Sequence, residues 1–209
     1  MRDSVKVLPL ALMLVTPVSC LFGAADAVML DGFYGADGHR DATRCACRMG
    51  DGRFHFRFDV KDLTPCMPAD VNAPERGLED FDRVELFFSP TPDMSRPYCC
   101  MEIGINGAVL DYRATYYRQM NYWWGFKTLR TGAVSTADGY VVTGSVAAVE
   151  LAAEGVNTNR FWLGAFRADF APGCRLVDWY AAVPQGPGEP DFHRPQLLMP
   201  TAFCNSKNN

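Results

Sequence analysis

The chain has 209 residues, a length that suits one domain with a full hydrophobic core. It is 48% hydrophobic and 12% aromatic, which excludes a disordered chain. A net charge of −4 leaves no overall basic footprint, so nucleic acid is not an expected partner.

The first elements read as a targeting segment. Arg2 and Lys6 precede an apolar run from Val7 to Val18, and the small residues Ala24, Ala25 and Ala27 follow. That charged, apolar, small order is that of a secretory signal, and the run is shorter than the roughly 20 apolar residues of a membrane span. A signal peptide over 1–27, cut after Ala27, would leave residues 28–209 as the exported domain. In a second reading Cys20 is acylated and holds a lipoprotein at a membrane, although Pro17 stands where a lipobox wants an aliphatic residue. A third keeps the segment as a buried element of a cytosolic protein.

From Thr43 onward the chain alternates with period two, which a helix of period 3.6 cannot hold on one face. Thr43, Cys45, Cys47 and Met49 share a face opposite Arg44 and Arg48. After a tight Gly50-Asp51-Gly52 turn, Phe54, Phe56, Phe58 and Val60 alternate with Arg53, His55, Arg57 and Asp59. Val84, Leu86 and Phe88 alternate with Arg83, Glu85 and Phe87. Met101 and Ile103 do so with Cys100 and Glu102, and Asn106-Gly107 turns the chain into Ala108–Arg113. Tyr140–Val146, Phe161–Asp169 and Leu176–Ala181 complete the strands. One short helix, Val149–Glu154, is stopped by Gly155. Thr64–Gly77 and Pro184–Pro190 are loops rich in Pro and Gly. The pattern predicts an all-β fold, a single antiparallel β-sandwich of immunoglobulin or jelly-roll type spanning about Ala42 to Phe203, with Phe54, Phe56, Phe58, Val84, Leu86, Phe88, Met101 and Ile103 in its core.

Eight cysteines suit an oxidising compartment, as disulfides or as core packing. Neither Cys45-Ala46-Cys47 nor Cys99-Cys100 has the two-residue spacer typical of zinc sites.

Three stretches carry a family pattern: Glu79-Asp80-Phe81-Asp82-Arg83-Val84-Glu85-Leu86-Phe87-Phe88, then Phe166-Arg167, then Asp178-Trp179 followed by Asp191-Phe192-His193-Arg194-Pro195. In this order, over roughly Asp41 to Phe203, they resemble family 9 carbohydrate-binding modules. The resemblance implies a secreted, non-catalytic β-sandwich that grips a poly- or oligosaccharide between aromatic rings over a carboxylate, often beside glycoside hydrolases. It assigns Trp179 to the late clamp tryptophan, Glu85 to the acidic position and Arg167 to a polar position. The family's other clamp tryptophan falls six residues before the acid, where this chain has Glu79. Trp123 and Trp124, with Tyr122 beside them, are the candidate substitutes.

The same chemistry follows from residue types alone. Aromatic faces cover the C–H face of a pyranose, and Arg or Glu side chains pair with adjacent hydroxyls; the chain offers Trp123, Trp124, Trp162, Trp179, Tyr112, Tyr116, Tyr117, Tyr122, Arg167, Glu85 and Glu102 for this. With the resemblance, Trp179, Trp123, Trp124, Arg167, Glu85 and Glu102 are the candidate ligand-binding set. Each has a structural alternative. Trp162 belongs to the core by its alternation with Leu163, and Trp179 is balanced between core and site. Arg167 can neutralise Glu85 or Asp169 inside the sandwich. His193, between Phe192 and Pro195, pins the last loop. The oxygens of Glu79, Asp80 and Asp82 could hold a structural calcium, against the commoner solvated acidic loop. No hydrolase elbow, phosphate loop or zinc-protease helix motif is present, and Glu85 with Glu102 is a weak catalytic pair, so no catalytic residue is assigned. A haem-binding redox sandwich, pairing Met49, Met101 or Met120 with His39, His55 or His193, is the alternative from another class, and a structural secreted protein is the third.

If the leader is read correctly, N-terminal sequencing of the protein from its native host will begin near Val28. An intact Met1 in a cytosolic fraction would refute export, and acylation at Cys20 would replace cleavage by lipidation.

Overall fold

The computed structural model describes residues 27–33, 42–67, 75–173, 175–186 and 188–201. The leader, His39, Cys20, Cys174 and Cys204 lie outside them. Twelve strands and one short helix make up the fold: β1 (Ala27–Gly32), β2 (Thr43–Gly50), β3 (Arg53–Lys61), β4 (Arg83–Ser89), β5 (Tyr98–Gly104), β6 (Val109–Thr115), β7 (Gln119–Asn121), β8 (Arg130–Thr136), β9 (Gly139–Ala147), α1 (Ala148–Ala153), β10 (Phe161–Ala171), β11 (Arg175–Ala181) and β12 (Met199–Thr201). All pairings are antiparallel. One sheet runs β1-β2-β3-β9-β8 and the other β7-β6-β5-β4-β10-β11, with β12 also on β10. Strand β1 joins them: Ala27–Leu30 pair with β2, while Asp31 and Gly32 pair with β11.

The hairpin expected at Gly50-Asp51-Gly52 forms with positive φ at Asp51 (52°) and Gly52 (70°), the backbone that a two-residue primed turn needs. It sets the β2–β3 register in which Cys45 faces Phe58 and Cys47 faces Phe56. Phe54, Phe56, Phe58, Val84, Leu86, Phe88, Met101 and Ile103 all lie in the core between the sheets. Cys45 and Cys99 join them there, and Cys45, Cys47, Cys99 and Cys100 are free and buried, so these four pack rather than crosslink. The Phe56 ring lies over Gly144 on β9, where an added Cβ would stand 2.3 Å from the ring and 2.6 Å from the Arg130 carbonyl oxygen.

The sandwich begins earlier than expected from Ala42, because β1 is an integral bridging strand whose first residue, Ala27, ends the expected leader. Strands β7, β8 and β12 are additions to the expected set. A second apolar cluster covers the outer face of the β4–β5–β10 sheet. Phe87, Tyr98, Cys100, Tyr112 and Phe166 meet Phe192, Leu197 and Leu198 from the C-terminal segment. As a result β4 and β5 are buried along their full length on both faces. Trp162 is half-buried in this outer cluster, while its neighbour Leu163 enters the inter-sheet core.

Phe56→Ala should destabilise the fold by roughly 3–5 kcal/mol, as loss of a fully buried ring does, readable as a lower urea midpoint. Unchanged stability would mean that the core is not organised around this ring.

Candidate functional site

Strand register decides which charged side chains meet. Arg83 and Glu85 alternate with the core residues Val84 and Leu86 on β4, so both point to the outer face. Glu85 lies opposite Glu102 on β5 and Phe166 on β10. Arg83 lies opposite Ala168, which in turn faces Trp179 on β11. Arg83, Glu85, Glu102 and Trp179 therefore share one face. The C-terminal segment Pro190–His193 closes over them and leaves a cavity of about 380 Å³, also lined by Tyr112, Tyr122, Arg118 and Glu79.

The cavity floor is a three-membered charge cluster. Arg83 Nε donates to Glu85 Oε1 at 2.9 Å, and Nη1 donates to the Glu79 carbonyl at 3.0 Å. Glu102 Oε2 stands 2.8 Å from the same Nε but receives no hydrogen bond, because the single Nε–H is already directed to Glu85. Burial first, and then the Glu102 charge, push Glu85 up to about 8 against the pull of Arg83, so it carries a proton at neutral pH. Glu102 is also raised by burial, in opposition to Arg83 and Tyr112.

His193 supplies the wall. Its Nδ1 lies 2.7 Å from the Tyr98 hydroxyl and its Nε2 3.4 Å from that of Tyr112, which donates to Glu102 Oε1 at 3.1 Å. Every proton is placed if Tyr98 donates to Nδ1 and Nε2–H donates to Tyr112. Burial, and then Arg118, lower His193 to about 4, so the ring is neutral. The wall is tied down through Asp191. It accepts from Tyr117 Oη at 2.7 Å, from Arg118 Nη1 at 3.1 Å and from the His193 amide at 3.0 Å. His193 thus pins the last loop, as expected, and also lines the cavity. The Trp179 ring packs edge-on against Phe192, with centroids 5.0 Å apart, and the Arg83 guanidinium lies 5.6 Å from its centre.

Three of the six expected ligand-binding residues, Trp179, Glu85 and Glu102, meet in this cavity. The other three are elsewhere. Arg167 pairs with Val84 and Tyr180 across its strands, one residue out of phase with Glu85 and Trp179, so it points into the sandwich. There it is fully buried, 2.8 Å from Asp62 and 3.2 Å from Asp169, and it donates to Thr43. Its structural alternative is the one the geometry follows, with Asp62 in place of Glu85. Trp123 is 99% exposed on the turn after β7. Trp124 is half-buried against the inter-sheet core, edge-on to Phe126, with its indole N–H donating to Glu154 at 3.1 Å. The aromatic residue of that segment that reaches the cavity is Tyr122, 5.2 Å from Tyr112. Tyr112 and Tyr122 were among the aromatic residues noted from sequence but outside the assigned set; Arg83 was not noted there, although it was readable, since it alternates in phase with Glu85.

The acidic stretch does not gather as a calcium loop. Glu79 and Asp80 are exposed. Asp82 turns inward and accepts the Cys66 and Phe170 amides at 2.5 and 2.6 Å. Asp62, Asp82 and Asp169 come within 4.8 Å of one another, and the Arg167 guanidinium supplies positive charge to that group. Burial pushes Asp82 up to about 8 despite its two amide donors. Of the Met and His residues weighed for haem, Met101 is sealed in the core, and Met49 and His55 face opposite sides of their sheet. Met120 and His193 do line one cavity, but both His193 ring nitrogens face tyrosine hydroxyls.

A β-sandwich with a polar, aromatic-edged cavity on one outer face describes the class of protein. No family model and no curated protein sequence matches the chain. Solved structures do. A family 9 carbohydrate-binding module from Caldicellulosiruptor kristjanssonii, in complex with cellotriose, superposes with a TM-score of 0.63 over 97% of this chain and 93% of its own, at 14% identity. A family 9 module from the same organism in complex with glucose gives 0.55 over 80% and 78%, at 15% identity. A proposed carbohydrate-binding protein from Bacteroides uniformis ATCC 8492 gives 0.62 over 88% of each chain, at 12% identity. The fold is that of the family 9 modules which the sequence resembles.

The buried ionisable groups set a pH dependence. Asp82 and Glu85 have ordinary values of 3.8 and 4.5 and ionise at about 8 when folded. Between those values the folded chain holds protons that the unfolded chain has released, so their contribution is complete at low pH and lost as pH rises through 8. His193 has the opposite sign: lowered from 6.5 to about 4, it contributes fully above 6.5 and loses that contribution as pH falls through 4. Of these three groups only the carboxylates act between pH 6.5 and 8, so the urea midpoint is expected to fall as pH rises across that window. Glu85→Gln should flatten the slope; an unaltered slope in that variant would remove Glu85 as a source.

Proposed function

We propose that the chain is a non-catalytic carbohydrate-binding domain, and that the cavity beneath Pro190–His193 receives a saccharide. The observation that carries this reading is the buried Arg83–Glu85–Glu102 cluster open to the cavity beside Trp179, in which Glu102 Oε2, 2.8 Å from Arg83, has capacity for a further donor. A pyranose hydroxyl satisfies it, and a neighbouring hydroxyl can pair with Glu85 or Arg83. Trp179 and Tyr122 offer aromatic edges or faces to the sugar C–H groups. The cavity volume falls in the range of small-molecule sites. That structural neighbours were solved with glucose and cellotriose supports a neutral hexose or short β-glucan as the first ligands to try. Arg83 lies between the two carboxylates and engages Glu85 directly, which suits holding a ligand rather than cleaving one. Export of the domain, or its retention at a membrane through Cys20, and work beside glycoside hydrolases complete the proposal. Their support is the order of residues 2–27 and the family resemblance.

Calorimetric titration of the protein with glucose, cello-oligosaccharides and a panel of neutral glycans tests the site. Trp179→Ala should weaken binding about five- to tenfold, since one specific aromatic contact is worth about 1–1.4 kcal/mol and 1.4 kcal/mol is tenfold, with circular dichroism unchanged. Trp123→Ala should leave affinity as it was. Binding of no saccharide at all, or equal affinity in Trp179→Ala, would overturn the reading.

A further inference from the structure

The second inference concerns the opposite side of the molecule, the outer face of the β2–β3–β9–β8 sheet. Phe54, Phe56, Phe58 and Val60 point into the core, so Arg53, His55, Arg57, Asp59 and Lys61 point outward. The same alternation turns Arg44 and Arg48 outward on β2 and Arg130 on β8. In the four strands these are the six cations, and Asp59 is the one carboxylate. The whole chain has a net charge of −4, so this face is charged against the trend of the molecule.

The register arranges these groups. Arg48, His55, Ser145 and Arg130 form one row across the four strands. Arg44, Asp59, Val141 and Val134 form a parallel row nearer the other end of the strands. Between them runs a row of small residues, Ala46, Thr143 and Gly132, interrupted by Arg57 alone. The two outer rows are four residues apart along a strand, or about 13 Å, which leaves a shallow trough over β3, β9 and β8 with Arg57 in its floor; at β2 the trough ends, because Ala46 is fully buried. The guanidiniums are held in place. Arg53 Nε donates to Ser145 Oγ at 2.9 Å and its Nη2 to the Thr128 carbonyl at 2.7 Å. Arg57 Nε donates to Asp59 at 2.9 Å, and Arg44 stands 3.7 Å from the same carboxylate. Arg130 is exposed, and Lys61, 3.9 Å from Asp138 in the turn between β8 and β9, keeps 67% of its side chain exposed. His55 is lowered by burial and then by Arg48, as a field of this sign requires.

We propose that this trough is a second binding surface, distinct from the cavity, and that it takes a linear acidic polysaccharide lying across the strands. Five of the six cations are arginines; the Arg57 fork is already held by Asp59 and keeps its remaining N–H donors, while the exposed Arg130 offers its whole planar fork to a carboxylate or sulfate. Arg57 on β3 and Arg130 on β8 stand two strands apart, or about 10 Å at the usual strand spacing, close to the length of two pyranose units, so alternate acidic groups of a linear chain meet them. Side chains fixed by Ser145, Thr128 and Asp59 suit repeated, spaced anions better than the fluid headgroups of a bilayer.

Affinity electrophoresis of the full chain through gels containing polygalacturonate tests this. The chain is expected to be retarded by polygalacturonate and not by its fully methyl-esterified form, which has the same backbone without the charge. Retardation should weaken at least tenfold between 20 and 300 mM salt, roughly as screening dictates. Arg57→Gln with Arg130→Gln should cost about tenfold or more in affinity, and Trp179→Ala nothing. If the first pair alters the circular dichroism spectrum, Lys61→Gln with Arg130→Gln, both at exposed positions, is expected to show the loss instead. No retardation by polygalacturonate, equal retardation of a folded pair variant, or binding only to phosphatidylglycerol vesicles or duplex DNA would overturn the proposal. Because the cavity ligand is neutral and Trp179 is remote from this face, failure here leaves the cavity reading standing, and failure there leaves this one.

Discussion

Strand β4 is covered on both faces, and it carries Arg83 and Glu85. A charge in such a position has to be paired where it stands, because desolvation of an isolated ion exceeds what any single hydrophobic contact contributes. Much of the rest of the structure answers that constraint. On the outer face, Glu102 from β5 and three backbone carbonyls near Leu78–Phe81 surround the Arg83 guanidinium. One step further along the neighbouring strand, on the inner face, Arg167 meets the same need with Asp62 and Asp169. The sheet thus holds two arginine–carboxylate clusters, back to back. They differ in what closes them. Thr43 and the Tyr180 ring seal the inner cluster, whereas the outer one is roofed by a loop and keeps an open cavity.

That difference explains why one cluster suits ligand binding and the other stability. Arg167 neutralises its carboxylates inside a closed core, and removing it would strand buried carboxylates. Arg83 has one Nε–H for two carboxylates, so the outer cluster is a donor short. The protonation of Glu85 relieves the repulsion between the two acids, and Tyr112 and His193 orient Glu102 from below. A pocket built this way is pre-organised by groups that are themselves immobile, which keeps the cost of ordering them out of the binding step.

Most of the core was legible in the amino-acid sequence, because period-two alternation in Arg53–Val60 and Val84–Phe88 admits only one set of inward residues. The outer cluster was half legible. Glu85 and Glu102 sit out of phase with their core neighbours, and Trp179 precedes a loop, so local pattern was enough to mark them. Arg167 carries the same local signal and belongs to the other face. What separates it from Phe166 is the β4–β10 register, a long-range property that local alternation cannot supply. Trp123 and Trp124 drew attention by residue type, yet the turn after β7 sends one into solvent and the other under the core, and the less conspicuous Tyr122 reaches the cavity. Strand β8 has little apolar content because it is an edge with one weakly covered face, and β1 was hidden in what reads as the end of a leader.

The overall charge concealed the other feature of the fold. An acidic total suggests a molecule that repels polyanions, but a sandwich sorts side chains by parity, and parity placed the cations of β2, β3 and β8 on one outer face. The cavity, with its carboxylates, lies on the far side of both sheets. Within a Debye length of about 8–10 Å at ordinary salt the two fields scarcely overlap, since stacked sheets alone are about 10 Å apart. A neutral sugar held by aromatic edges and an acidic polymer held by guanidiniums would therefore engage without competing. Such an arrangement would give a small domain two weak contacts on one composite material, and two weak contacts that can be satisfied together hold far better than either does alone.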